Sequence, residues 1–264
     1  MKRLDYFAAR HKVLAFIGIT AFLCCVYTVF FGFIKMPVWL IIVFDIAFVI
    51  ITLVYVIFSA SLILQKAIKK LDDECDPYPL YEATSELLTY KNSAIIKRII
   101  LINYALALRA CGEYEKNLDI LKSLDAEKVA ELIPEHQVLY YNNLMDAHGK
   151  LEQYAEAQNV YSKMMSIYQN ITEEKILKTL ESVIQSAEIF HIYCEKDYEK
   201  VISLLKDTGD SCKKNKMDSA MLYAKAAIAV GDVNIAKEKL QYVIKNGNKL
   251  YVVKEAQQIL SKLC

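Results

Sequence analysis

Few residues in this sequence have the type and spacing that make or break bonds. The four histidines, His11, His136, His148 and His191, stand far apart, and none belongs to an H-E-x-x-H pair that would hold zinc. There is no G-x-S-x-G elbow to expose a nucleophilic serine. Nor is there a G-x-x-x-x-G-K-[ST] loop to cradle phosphate, since Gly149-Lys150 is followed by Leu151 and lacks the upstream glycine. His191 and Cys194, three apart on one expected helix, supply two ligands where a metal site needs more. Glu173 with Glu174 reads as a solvated helix start, and Asp72, Asp73, Glu74 and Asp76 as a linker. Lys213, Lys214 and Lys216 form a small basic patch that reads as a loop face. The expectation is a chain with no catalysis, no cofactor and no metal.

Asp45 is the one residue whose position makes its chemistry costly. Val13 to Ile34 carries no formal charge, and Met36 to Leu64 carries only Asp45. A carboxylate at mid-bilayer costs ~2.5–3.5 kcal/mol on insertion scales, so such a residue faces a partner helix, a cavity or water. Three uses follow for Asp45: a structural bond to Thr28 or Tyr27, a contact between copies, or an ion or proton pathway.

These two runs must position it. A hydrocarbon core of ~30 Å needs about 20 helical residues, which the spacing supplies as helices over 13–34 and 38–64. Lys35, Met36 and Pro37 make the turn, Pro37 suiting a first helical turn and Trp39 the headgroup belt. The basic leader before Val13 also fits a signal peptide. The apolar run is longer than the usual h-region of about 7–15 residues, however, no A-x-A site follows, and a second run comes directly after. Lys2, Arg3, Arg10 and Lys12 precede the pair and Lys66, Lys69 and Lys70 follow it, against Lys35 alone in the turn. The positive-inside rule then puts both termini in the cytoplasm, with two spans in the plasma membrane. Cysteine usage agrees with a reducing side: the seven cysteines are odd in number, form no C-x-x-C pair, and avoid the turn.

Composition divides the same way. The chain is 55% hydrophobic, with mean hydropathy +0.21, and residues 1–64 hold the surplus. Beyond them remain 27 of the 32 basic and 29 of the 31 acidic residues. That balance excludes a nucleic-acid binder, which needs concentrated positive charge. Seven glycines and four prolines exclude collagen-like and most all-β folds. The expected organisation is a hairpin over 1–71, an acidic, proline-marked linker over 72–79, and a helical domain over 80–264. The fold class is all-α.

Four segments of the helical domain look alike: LALRACGEYEKNLDIL (106–121), DAHGKLEQYAEAQNVY (146–161), FHIYCEKDYEKVISLL (190–205) and KAAIAVGDVNIAKEKL (225–240). Tyr114, Tyr154, Tyr198 and Val233 take the same place after each turn. Gly112 and Gly231 supply a turn glycine, Ala157 and Ala236 a small residue three after the aromatic, and Leu121, Tyr161, Leu205 and Leu240 a large apolar residue four further on. On these residues the domain resembles the tetratricopeptide-repeat family over roughly 94–243. Glu152 and Lys196 stand in place of the glycine, and Asn117 and Val201 in place of the small residue, so the repeats are degenerate. The resemblance implies an α-solenoid of about four helix pairs closed by a capping helix over 251–263. The competing arrangement is an irregular helical bundle.

The resemblance also implies a groove, lined by the first helix of each pair, for a protein or peptide partner. Its residues here would include Arg109, Asn142, Asp146, Tyr193 and Lys225, while Leu106 and Phe190 read equally as core. The functional expectation is a scaffold held at the cytoplasmic face of a bacterial-type membrane. The other class is a sensor and effector, with a ligand-binding helical domain and a hairpin that oligomerises to perturb the bilayer. An enzyme or transporter subunit has no residue-level support.

Overall fold

The computed structural model describes residues 2–34, 38–124, 126–206 and 212–263. The expected turn at Lys35, Met36 and Pro37, and Cys264, lie outside them. Every regular element among the described residues is helical. The chain divides into two units: Met1–Ala67 with Glu86–Lys91, and Ile68–Ser85 with Asn92–Cys264.

The first unit contains α1 (Lys2–Arg10), α2 (Lys12–Ile34) and most of α3 (Val38–Glu74). Apolar residues occur all round α2, and Val13, Leu14, Ile17, Phe22, Val26 and Val29 are exposed. Water does not tolerate such a surface, whereas lipid does. α2 is the one described helix long and apolar enough by itself to cross a membrane. The second apolar run meets that test only as a bent pair, Ile42–Tyr55 and Phe58–Glu74, inclined at 52°. Late in α2, Tyr27 meets Phe44 and Phe48 early in α3, with ring centroids 5.3 and 5.4 Å apart. Early in α2, Ala15, Phe16 and Ile19 cluster with Tyr55. The two stretches therefore run antiparallel. On α1, the buried Asp5 accepts hydrogen bonds from Tyr55 (2.7 Å) and Lys66 (2.6 Å).

α3 passes through Asp72, Asp73 and Glu74 rather than ending before them, because acidic residues in sequence do not break a helix. The break comes at Cys75, in the left-handed region at φ 55°, with Pro77 two residues on. α4 (Tyr78–Leu88) follows.

In the second unit, helix pairs follow one another: α5 (Ala94–Ala110) with α6 (Tyr114–Lys122), then, after a short α7 (Ala126–Ala130), α8 (Pro134–Lys150) with α9 (Tyr154–Tyr168). α10 (Glu174–Cys194) pairs with α11 (Tyr198–Lys206), α12 (Lys213–Ala229) with α13 (Val233–Asn246), and α14 (Val252–Leu263) comes last. Local chemistry sets the starts. Ser93 caps α5, Pro134 occupies the first turn of α8, and Asp232 caps α13 by accepting from Ile235 N (3.1 Å).

One turn recurs four times. Gly112, Glu152, Lys196 and Gly231 all have positive φ, at 85°, 58°, 65° and 84°. The next amide in each case reaches back five residues, Glu113 to Leu108 O, Gln153 to His148 O, Asp197 to Ile192 O and Asp232 to Ala227 O, at 2.8–3.3 Å. Each is a Schellman closure, which satisfies orphan carbonyls and reverses the chain. Glu152 and Lys196 thus adopt the glycine conformation without being glycine. Three residues after each helix start, Asn117, Ala157, Val201 and Ala236 are all buried to 1% or less. Here the shared feature is enclosure between helices rather than smallness: Asn117 fits by donating its side-chain amide to Ala105 O.

First helices pack on neighbouring first helices, α5 on α8, α8 on α10, α10 on α12 and α12 on α14. Between the pairs lie three clusters, centred on Leu121 and Val129, on Met145, Met164 and Leu180, and on Val201, Tyr223 and Ala236. The last segment returns to the first pair. Tyr251 N donates to Ala110 O (3.0 Å), Lys249 N to Cys75 O (3.2 Å), and the Tyr251 ring covers Gly112 so closely that no Cβ would fit.

Candidate functional site

The return of the last segment gathers a charged network on a face shared by α5, α8, α12 and α14. Arg109 of α5 ion-pairs with Asp146 of α8. One turn later on α8, Lys150 bridges to Glu255 of α14 at 3.0 Å and lies over the Tyr114 ring, 5.3 Å from its centroid. Tyr114 donates to the other oxygen of Glu255 at 2.6 Å. On α12, Lys214 pairs with Asp218 across one turn at 3.0 Å. Lys225, three turns along α12, feels Lys150, Glu255 and Glu152.

The electrostatics follow from partial burial. Burial pushes the Glu255 carboxyl up, but Lys150, the Tyr114 hydrogen bond and Lys225 together hold it below the usual range. Asp218 behaves likewise: Lys214, Arg109 and Lys150 outweigh its desolvation and bring it to about 2. Desolvation, reinforced by Lys150, lowers the Lys225 ammonium. Burial and the adjacent Glu255 carboxylate push the Tyr114 phenol far up, so it remains a donor. Burial raises Asp72 against the pull of Lys214. The arrangement can hold charged groups in fixed positions.

Of the residues singled out from sequence, Arg109, Asp146 and Lys225 come together in this network. Asn142 lies one turn before Asp146 on α8, half-buried. Tyr193 goes elsewhere, into an aromatic cluster with Phe190, Tyr154 and Tyr198 at centroid distances of 5.4–6.3 Å. Phe190 packs against the core, its ring over Gly149. The patch read as a loop face contains Lys214, which is instead in the first turn of α12 with only 12% of its side chain exposed. Sequence reasoning missed Lys150, Asp218 and Glu255 as site residues. Lys214 and Asp218 carried a local signal, the four-residue helical spacing of opposite charges; Lys150 and Glu255 carried none, being 105 positions apart.

Asp45 sits in the first unit. Cys24 of α2 hydrogen-bonds to its side chain, and Asp45 Oδ1 is buried without a hydrogen-bond partner, as are the hydroxyls of Thr20 and Thr52. His191 stacks on Tyr161 at 4.1 Å, with Glu195 3.6 Å away. Among the described residues no group of three or more His, Cys, Asp or Glu could hold a metal ion.

No protein-family model, curated protein or solved structure matches the chain.

Proposed function

We propose that this protein is a membrane-anchored adaptor without catalytic activity, built as a two-helix transmembrane hairpin followed by a tetratricopeptide-like solenoid of four helix pairs and a capping helix. The hairpin, α2 with the first part of α3, fixes the chain in the plasma membrane with both termini cytoplasmic, and the solenoid binds a protein or peptide partner there. The observation that carries this reading is the fourfold recurrence of one left-handed turn and one buried position, the repeat signature the sequence shows only partly. Anchoring raises the partner's effective concentration at the membrane without new chemistry. The test is capture of the full-length protein in detergent, beside a double variant, Arg109→Ala with Asn142→Ala. A partner retained by the first and lost by the second supports the reading; an identical set in both removes the groove from it. A reporter active only outside the cytoplasm, fused after Cys264, should be silent, and strong activity would reverse the orientation.

A specific observation favours a second reading, a sensor whose helical domain binds a ligand and whose hairpin responds. α3 runs from the apolar stretch to Glu74, and its Asp72 feels Lys214 and Asp218 of the charged network. A change in that network has a continuous backbone route to the apolar stretch, through the 52° bend between Tyr55 and Phe58.

A further inference from the structure

The start of α2 joins two surfaces of different chemistry. From Val13 onward the outward residues are apolar and open: Val13 is 71% exposed, Leu14 63% and Ile17 57%. Spacings of one, three and four residues put these three on one stripe of the helix. Just before them, at the end of α1, stands Arg10, which is also exposed. Helical bonds flank the junction, His11 N to Phe7 O and Ala15 N to His11 O, both 2.8 Å. With Asp5 against Lys66 and Ala15 clustered with Tyr55, they make α1 an extension of α2 beside α3. A cation therefore gives way to bare apolar surface within three residues of one helical path.

Arg10 is held in place without an anionic partner. Its guanidinium lies over the Tyr90 ring, 5.9 Å from the centroid, and the Tyr90 hydroxyl donates to Glu86. Among the described residues Arg10 makes no ion pair. A guanidinium set over a ring keeps its N–H edge free to donate. The charge at this end of the first unit favours an anion, since Arg10, Lys12, Lys66 and Lys91 stand against only Asp5 and Glu86. Asp45 does not offset them, because it follows Phe44, which meets Tyr27 near the opposite end of α2. The next carboxylates on α3, Asp72, Asp73 and Glu74, come six to eight residues beyond Lys66, on the side away from the apolar stretch.

We propose that Arg10 and the stripe of Val13, Leu14 and Ile17 bind one anionic phospholipid, with its phosphate on the guanidinium and an acyl chain along the stripe. Three residues of helix, about 4.5 Å of rise, set Arg10 within a headgroup layer about 5–7 Å deep, while Val13 and its successors fall in hydrocarbon. The planar guanidinium matches two phosphate oxygens at once through charge-assisted hydrogen bonds. The surplus cations select a lipid of net negative charge, because the choline of a zwitterionic lipid meets their repulsion. This rests on the reading of α2 as a membrane span and names the lipid class it would hold.

The test uses the full-length protein in vesicles of phosphatidylcholine with a minor share of phosphatidylglycerol. Trp39 is the chain's one tryptophan, so Trp39→Phe with Leu14→Trp places a single indole on the stripe. Acyl chains of one lipid or the other carry bromine, and quenching gives each lipid's share of the contacts at position 14. Phosphatidylglycerol should be enriched there on the order of fivefold over its bulk share, the ratio that one cation near the surface supports. Adding Arg10→Gln should return it close to the bulk share. Adding Lys91→Gln, which lowers the net charge equally, should keep most of the enrichment. Enrichment that survives Arg10→Gln, or an equal loss in Lys91→Gln, would overturn the site. The two ideas fail differently: an indole quenched by neither brominated lipid sinks the span and the site with it, whereas quenching by both lipids in their bulk proportions sinks the site alone.

Discussion

The Tyr114 hydroxyl donates to Glu255 at 2.6 Å across 141 residues of sequence, so the first aromatic of the first repeat is held by the last helix. Lys150 reaches the other oxygen of the same carboxylate. Glu255 therefore ties three helices together, and its removal leaves a largely buried phenol and ammonium without their acceptor. Glu255→Ala should destabilise the helical domain by about 2–4 kcal/mol, the cost of breaking a mostly buried charged pair. Glu255→Gln, which still accepts from Tyr114, should cost about half as much. Urea unfolding followed by circular dichroism checks the order; equal values for both would mean that charge contributes nothing.

The four left-handed turns make a contrasting prediction. Glu152 and Lys196 are exposed non-glycine residues at positive φ, a conformation that crowds Cβ against the following carbonyl. Glu152→Gly and Lys196→Gly should each stabilise by up to about 1 kcal/mol, in place of the loss a glycine causes in a helix interior. Gly112→Ala and Gly231→Ala should both destabilise, the first by more: a Cβ at Gly112 meets the Tyr251 ring, whereas one at Gly231 meets nothing within 4 Å. Thermal midpoints of the four variants test this, and a milder effect at Gly112 would mean that the Tyr251 contact gives way at little cost.

These turns also show what the sequence could and could not reveal. Helix existence and the repeat spacing were legible because apolar periodicity and the aromatic after three of the four turns, with Val233 after the last, are local signals. Glu152 and Lys196 looked like departures, since propensity disfavours them where the packed helices on either side demand a left-handed residue. Asn117 looked polar and misplaced until its amide met Ala105 O, a partner twelve residues back across a helix pair. The charged network was only half legible. Arg109 and Asp146 were candidates from the repeat pattern, but Glu255 and Lys150 meet only because the chain closes on itself, a property no local window contains. Tyr193 went to the aromatic cluster because α10 turns that face towards Tyr154 and Tyr198.

Acid should loosen this closure. Asp218 and Glu255 both titrate below their ordinary values of 3.8 and 4.5, so the folded state binds their protons less readily than the unfolded state. Their stabilisation is complete above about pH 4.5 and is lost as pH falls through the folded values, near 2 for Asp218. The thermal midpoint should therefore decline between about pH 4.5 and 2. A double variant, Asp218→Asn with Glu255→Gln, should start lower and decline less. The same slope in both proteins would place the acid-sensitive groups elsewhere.

The first unit carries its own prediction at Asp45. Its Oδ1 is enclosed without a hydrogen-bond partner, while Cys24 bonds to the side chain from α2. An apolar medium makes such a group expensive, and a leucine would fill the position without that cost. If the residue only packs the two helices, Asp45→Leu should improve membrane insertion, the gain being up to about 2.5–3.5 kcal/mol at the centre of a span. It should also leave the cross-linking pattern of the protein in membranes unchanged. If Asp45 joins two copies, the same variant should insert at least as well but lose a cross-linked dimer. Cys24→Ala separates the cases further, because it removes the bond between α2 and α3 and leaves the carboxylate in place. A dimer that survives Cys24→Ala and disappears in Asp45→Leu would assign the carboxylate to the contact between copies, whereas one unaffected by either change would confine Asp45 to the packing of α2 on α3.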